Sequence, residues 1–205
     1  MPPGHSPSFP LPVPLLLIGS VVAVTVLGWV IPPLQRALTL IPVRVRESFQ
    51  VYRLLTAGWV HKDVTHLGFN MLSLYFFADP ALKALGVPAF LALYVSAVVV
   101  AFVPTTLRYL RTPGYASLGA SGAVTAVMFS AILLDPKIEI RIMFLPIPVP
   151  GFVFAIGYLV YSTWRSYRAG DSVNHDAHLG GAIYGALFTY AFAPKLVERA
   201  LKTLF

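Results

Sequence analysis

Four polar residues stand inside otherwise apolar runs: Ser121, His178, His66 and Asn70. Ser121 sits in Gly119-Ala120-Ser121-Gly122 and His178 in Ala177-His178-Leu179-Gly180-Gly181. A serine hydroxyl is a weak nucleophile until a neighbouring base takes its proton, and imidazole is the side chain suited to that near neutral pH. Acyl transfer also needs N–H donors where negative charge develops on the attacked carbonyl. The backbone N–H groups at a helix start have no intrahelical partner, so the Gly119–Ser121 turn can supply some of these donors. The Asn70 amide and the His66 imidazole can supply the rest. They are four residues apart, which puts both on one helical face. Asp176 is only two residues from His178, so on a helix it points elsewhere. The pattern reads as a dyad of Ser121 (nucleophile) and His178 (general base).

What must position these groups follows from composition. The chain has 205 residues, 57% hydrophobic and 11% charged, and its mean hydropathy is +0.75. A soluble domain carries about 25% charged residues, so an ordinary water-soluble globule is excluded, as is a disordered chain. The solvent is largely lipid. With about 20 apolar residues per crossing, about six spans fit. The net charge of +7 comes from cations scattered between apolar runs, which suits lipid headgroups rather than nucleic acid. There is no cysteine, hence no disulfide, thiol nucleophile or thiolate metal site.

The apolar runs predict an all-α membrane protein. A Pro-rich tail (1–13) precedes a six-helix membrane domain (14–196), and a short basic tail (197–205) follows. The expected spans are 14–31, 66–78 (extended to 85 if Asp79-Pro80 lies near the end), 87–107, 118–134, 151–164 and 177–193. Continuous rather than alternating apolar runs argue against strands. The connection 34–65 is too polar to span and too rich in Phe49, Tyr52, Leu54 and Trp59 for a free loop, so a structured interfacial element is expected. Helices two, four and six run in the same direction, which brings His66, Asn70, Ser121 and His178 to a common depth. Gly181 and Gly185 form a Gly-x-x-x-Gly, whose packing would hold helices four and six close together.

At this point the sequence resembles the rhomboid family of intramembrane serine proteases. The resemblance lies in Tyr52-Arg53-Leu54-Leu55-Thr56 through Trp59-Val60-His61, His66-x-x-x-Asn70, Gly119-Ala120-Ser121-Gly122 and Ala177-His178-x-x-Gly181-x-x-x-Gly185. These stretches cover about residues 44–193 in family order. The resemblance implies a six-helix bundle and a Ser121–His178 dyad, with an oxyanion site of Asn70, His66 and the Ser121 backbone. It also implies a water-filled cavity on the side where those helices begin, covered by a mobile loop before helix six. Family substrates are membrane-anchored proteins cut in or near a transmembrane helix, with no metal or cofactor.

The chain departs from the family at three positions. Tyr52 stands where Trp is usual, Leu82 where an acid is common, and Thr125 where an aromatic often packs on the catalytic histidine. Lacking that aromatic, His178 is expected to be held less firmly. Two other functions compete with proteolysis. One is a non-catalytic rhomboid-like scaffold binding transmembrane helices, although such proteins generally lack the serine or the histidine. The other is a haem or metal protein built on His61, His66, His175 and His178, for which no carboxylate or cysteine completes a ligand set. The family resemblance places the protein in a bacterial-type plasma membrane with cytoplasmic N- and C-termini. The literal Lys and Arg count opposes that orientation, because Arg36, Arg44, Arg46, Arg53 and Lys62 crowd the first loop. If those arginines serve internal hydrogen bonds, the count agrees with the family.

Overall fold

The computed structural model describes residues 13–141, 147–166 and 174–204. The Pro-rich tail, apart from Val13, and the loop 167–173 lie outside the described residues. The described chain is predominantly helical. Helix α1 (Val13–Val30) ends at Pro32-Pro33, which open the short α2 (Pro32–Leu38). Two further short helices, α3 (Pro42–Ser48) and α4 (Arg53–Thr56), complete the first connection with a 3-10 turn over Ala57–Trp59.

This connection is a built element, as the sequence suggests. Arg53 is 2% exposed and its guanidinium donates to Gln50 Oε1 (2.6 Å), Arg36 O (2.9 Å) and Thr39 O (2.6 Å). A buried cation costs several kcal/mol unless its donors are used, and here the fork spends them on carbonyl oxygens that the short helices leave exposed. Arg53 thus serves the fold. Arg36, Arg44 and Arg46 are exposed.

Helix α5 (Val64–Tyr109) is interrupted at Gly86, whose φ of 75° and ψ of 165° are non-helical. His66 and Ala101 are 35 residues apart, about 52 Å along a straight helix. Yet His66 lies against Gly119 and Ala101 against Gly122. The chain therefore reverses at Gly86, and the arms 64–85 and 87–109 run back along each other. Helix α1 and α5 are each long and apolar enough to cross a membrane, with a mean hydropathy of 2.3.

Helix α6 (Ser121–Leu134) is the most enclosed element, with Gly122 through Ile132 all buried. Helices α7 (Gly151–Ser166), α8 (His175–Phe192) and α9 (Pro194–Leu201) follow. Strands were not expected, and one small exception appears. Residues Glu139–Ile140 (β1) and Val149–Pro150 (β2) pair antiparallel at the entrance to α7. Helix α9 crosses the tail boundary expected at 196 and buries Val197 and Ala200.

The α6–α8 contact is the close packing anticipated from Gly181 and Gly185. A Cβ at Gly181 would collide with the Gly122 carbonyl, and one at Gly185 with the Ala126 carbonyl. Backbone meets backbone there, which only residues without a side chain permit. Thr189 Oγ1 donates to Gly185 O (2.7 Å) and so accepts from Ser130 Oγ (2.7 Å) further along the same seam. The consequence is registration: Ser121, next to Gly122, and His178, one turn before Gly181, are fixed relative to each other.

Candidate active site

Ser121 is the first residue of α6 and is half-buried. Asp63 caps α5 by accepting the His66 N–H (2.8 Å), so His66 enters in the first turn and Asn70 one turn later. Asn174 caps α8 by accepting the Ala177 N–H (3.0 Å), which sets His178 at the mouth of that helix. These two caps follow from ordinary helix-start chemistry, whereas α6 starts after Ala120 with no side-chain cap. The three helix starts bring Ser121, His178, His66 and Asn70 to the lining of one cavity of about 930 Å³. Tyr115, Ser117, Thr125 and Tyr158 line it as well.

Gly119 has a different part from the one expected. Its N–H donates to Ala57 O (2.9 Å), so that amide is already committed. Its φ of 117° suits glycine, and a Cβ there would come within 2.6 Å of the His66 ring. Gly119 contributes clearance for His66 and no free donor. The Ala120 N–H is committed too, to His61 Nε2 (3.1 Å). The first intrahelical bond of α6 runs from Val124 N to Ala120 O, so the Ser121 amide precedes the bonded ladder.

Asn70 is 6% exposed, and its Nδ2 donates to His66 O (2.8 Å). A carboxamide has two N–H donors, so this bond fixes the group while using only one. Asp176 accepts from Arg108 (2.9 Å) and from Ser166 Oγ. It ties the ends of α5, α7 and α8 together.

Two residues that sequence reasoning left out of the site are built into it. His61 is fully buried, and both ring nitrogens are used. Thr25 Oγ1 donates to Trp59 O (3.0 Å), so the hydroxyl accepts from His61 Nδ1–H (3.0 Å) and Nε2 is left as acceptor for Ala120. Burial, and secondarily the neighbouring His66, hold its pKa down at about 3. A neutral, doubly bonded His61 is a strut, which removes it from any metal-ligand set. In sequence it stood out only as the end of the Trp59-Val60-His61 stretch and as one of four histidines weighed as metal ligands, neither of which points to a strut under Ala120.

The second is Tyr158 on α7. Its ring lies near-parallel to His178, with centroids 6.2 Å apart and planes at 23°, and its hydroxyl bonds Thr125 Oγ1 (3.1 Å). An aromatic support for His178 is therefore present, and the expectation that Thr125 leaves the ring unsupported is corrected. The support comes from another helix, where no spacing from Ser121 could reveal it.

The Rhomboid domain family matches residues 48–195, well over half of the chain. The chain belongs to the rhomboid family. It is 30% identical over 159 residues to RHOMBOID-like protein 12, mitochondrial, of Arabidopsis thaliana, covering 69% of this chain and 46% of that protein. It is also 30% identical over 168 residues to the human Presenilin-associated rhomboid-like protein, mitochondrial, covering 77% of this chain and 42% of that one. Rhomboid protein 1, mitochondrial, of Saccharomyces cerevisiae is 28% identical over 150 residues, 71% of this chain and 43% of that protein. This rhomboid chain thus spans less than half the length of these relatives. Their mitochondrial setting overturns the expectation of a bacterial-type plasma membrane with cytoplasmic termini. That expectation rested on the family at large, and no residue in the motifs encodes a compartment.

Proposed function

We propose that this rhomboid is an intramembrane serine endopeptidase that cleaves membrane-anchored protein substrates, using Ser121 as nucleophile and His178 as general base. The observation that carries the reading is the convergence of Ser121, His178, His66 and Asn70, from three separate helices, on one cavity. In the proposed reaction Ser121 Oγ attacks the scissile carbonyl as His178 takes its proton. Negative charge on the carbonyl oxygen is met by the Ser121 amide, the second Asn70 N–H and the His66 imidazole. The tetrahedral species collapses as His178 passes the proton to the leaving amine. Water then attacks the acyl-enzyme by the same route, releasing the second fragment and restoring Ser121. No metal or cofactor has a part in these steps.

In this reading α1, both arms of α5, α6, α7 and α8 cross the bilayer as six spans. The compartment proposed is a mitochondrial membrane, as in the relatives named above. The test is proteolysis of a panel of single-span substrates in liposomes, comparing the wild type with Ser121→Ala. Cleavage of at least one substrate by the wild type and none by the variant is expected. Equal cleavage by both would refute the assignment.

A further inference from the structure

Helix α7 is the least enclosed of the long helices around the cavity. Only Gly151 and Ser162 are buried, while Ile156, Val160, Tyr161 and Trp164 are about half exposed or more. It is fastened at its two ends. Gly151 N–H donates to Ile138 O (2.8 Å) beside the β1–β2 pair, and Arg108 donates to Ser166 O (2.9 Å) at the other end. Between these ends Tyr158 reaches inward. Its ring sits 5.7 Å from Phe129 of α6 and 5.9 Å from Phe154 of its own helix, besides the near-parallel contact with His178. The bond to Thr125, itself 4% exposed, stops the ring from sliding along the cavity wall.

We propose that Tyr158 is the positioning residue for His178: docked on α6 through Thr125 and Phe129, it fixes the imidazole plane that must meet Ser121 Oγ. The inference rests on His178 being the general base. It adds that the base is oriented by a helix that carries neither member of the dyad. Thr125 is four residues after Ser121 and faces the same cavity, so its small side chain leaves the room that the Tyr158 ring occupies.

The experiment measures the rate of Ser121 labelling by a fluorophosphonate on the full chain in detergent, resolved into a maximal rate and a half-saturating concentration. Tyr158→Met keeps bulk and removes the ring, whereas Tyr158→Phe keeps the ring and removes the hydroxyl. A misaligned base slows chemistry without weakening the encounter, so Tyr158→Met should lower the maximal rate by roughly 10²-fold at unchanged half-saturation. Tyr158→Phe should lose less than about tenfold. Adding Thr125→Phe to Tyr158→Met restores a ring on α6 and should recover most of the rate. A Tyr158→Met protein that melts with the wild type and labels at its rate overturns the proposal. So does a loss confined to half-saturation. If Tyr158→Met does not fold, the double variant decides: recovered labelling supports the proposal, and slow labelling with a native melting curve overturns it. Wild-type labelling that persists in Ser121→Ala would instead defeat the functional reading, and the proposal with it.

Discussion

His61 Nε2 accepts the Ala120 N–H at 3.1 Å, one residue before Ser121. Through that bond the first connection is tied to the turn that presents Ser121, the proposed nucleophile. The antiparallel bridge between Leu40 and Ser117 makes a second tie to the same turn. The first connection therefore braces the Ser121 end of α6, although it contributes no residue to the proposed dyad.

The brace predicts an acid sensitivity. His61 titrates at about 3 in the fold and near 6.5 when unfolded. Its contribution is complete above pH 6.5 and declines as pH falls, because the unfolded chain takes up a proton that the native chain refuses. By pH 5 the loss is roughly 2 kcal/mol. Melting curves from pH 7.5 to 5 should show a steeper decline for the wild type than for His61→Gln. Parallel declines would contradict the assignment of a neutral, buried His61.

Arg53→Lys should destabilise the protein although charge is retained. A lysine cannot reproduce the planar fork that reaches Gln50, Arg36 O and Thr39 O together. Leaving buried acceptors unmet costs about 1–3 kcal/mol. A lowered melting temperature is expected, and an unchanged one would show that water replaces the guanidinium.

The α6–α8 seam is tested by two neighbouring glycines. Gly181→Ala drives a methyl group into the Gly122 carbonyl, which cannot rotate away, so a loss of about 1–3 kcal/mol is expected. At Gly180 the nearest atoms lie 3.4 Å from the added carbon, and Gly180→Ala should be neutral or slightly stabilising. Thermal melts of the two variants give the answer. Similar behaviour would mean the close approach does not govern packing.

Asn70→Ala should lower the cleavage rate by roughly 10²–10³-fold if its second N–H meets the oxyanion. Because His66 shares that task in the proposed reaction, the Asn70/His66 double variant is the stricter measurement. An unchanged rate there would remove both from the oxyanion site.

What the sequence disclosed was what depends on local pattern. Apolar runs ended at Pro32 and Pro194, and Gly181 and Gly185 marked the face that packs on α6. The meeting of Ser121, His178, His66 and Asn70 at one cavity was anticipated from helix direction alone. What escaped it depends on contacts between distant segments. His61 acquires its part only because the first connection folds under Ala120, 59 residues later. Tyr158 meets Thr125 across 33 residues, and no periodicity within α6 or α7 encodes that meeting. The commitment of the Gly119 amide to Ala57 is hidden for the same reason.

The central claim is that Ser121 and His178 act as one unit. The direct measurement is kcat/KM for a cleaved single-span substrate in liposomes, for Ser121→Ala, His178→Ala and the double variant. Each single substitution should abolish cleavage above background, and the double should be no worse than either, because residues acting in one step are not additive. Substantial cleavage by either single variant with a native melting curve would contradict the dyad.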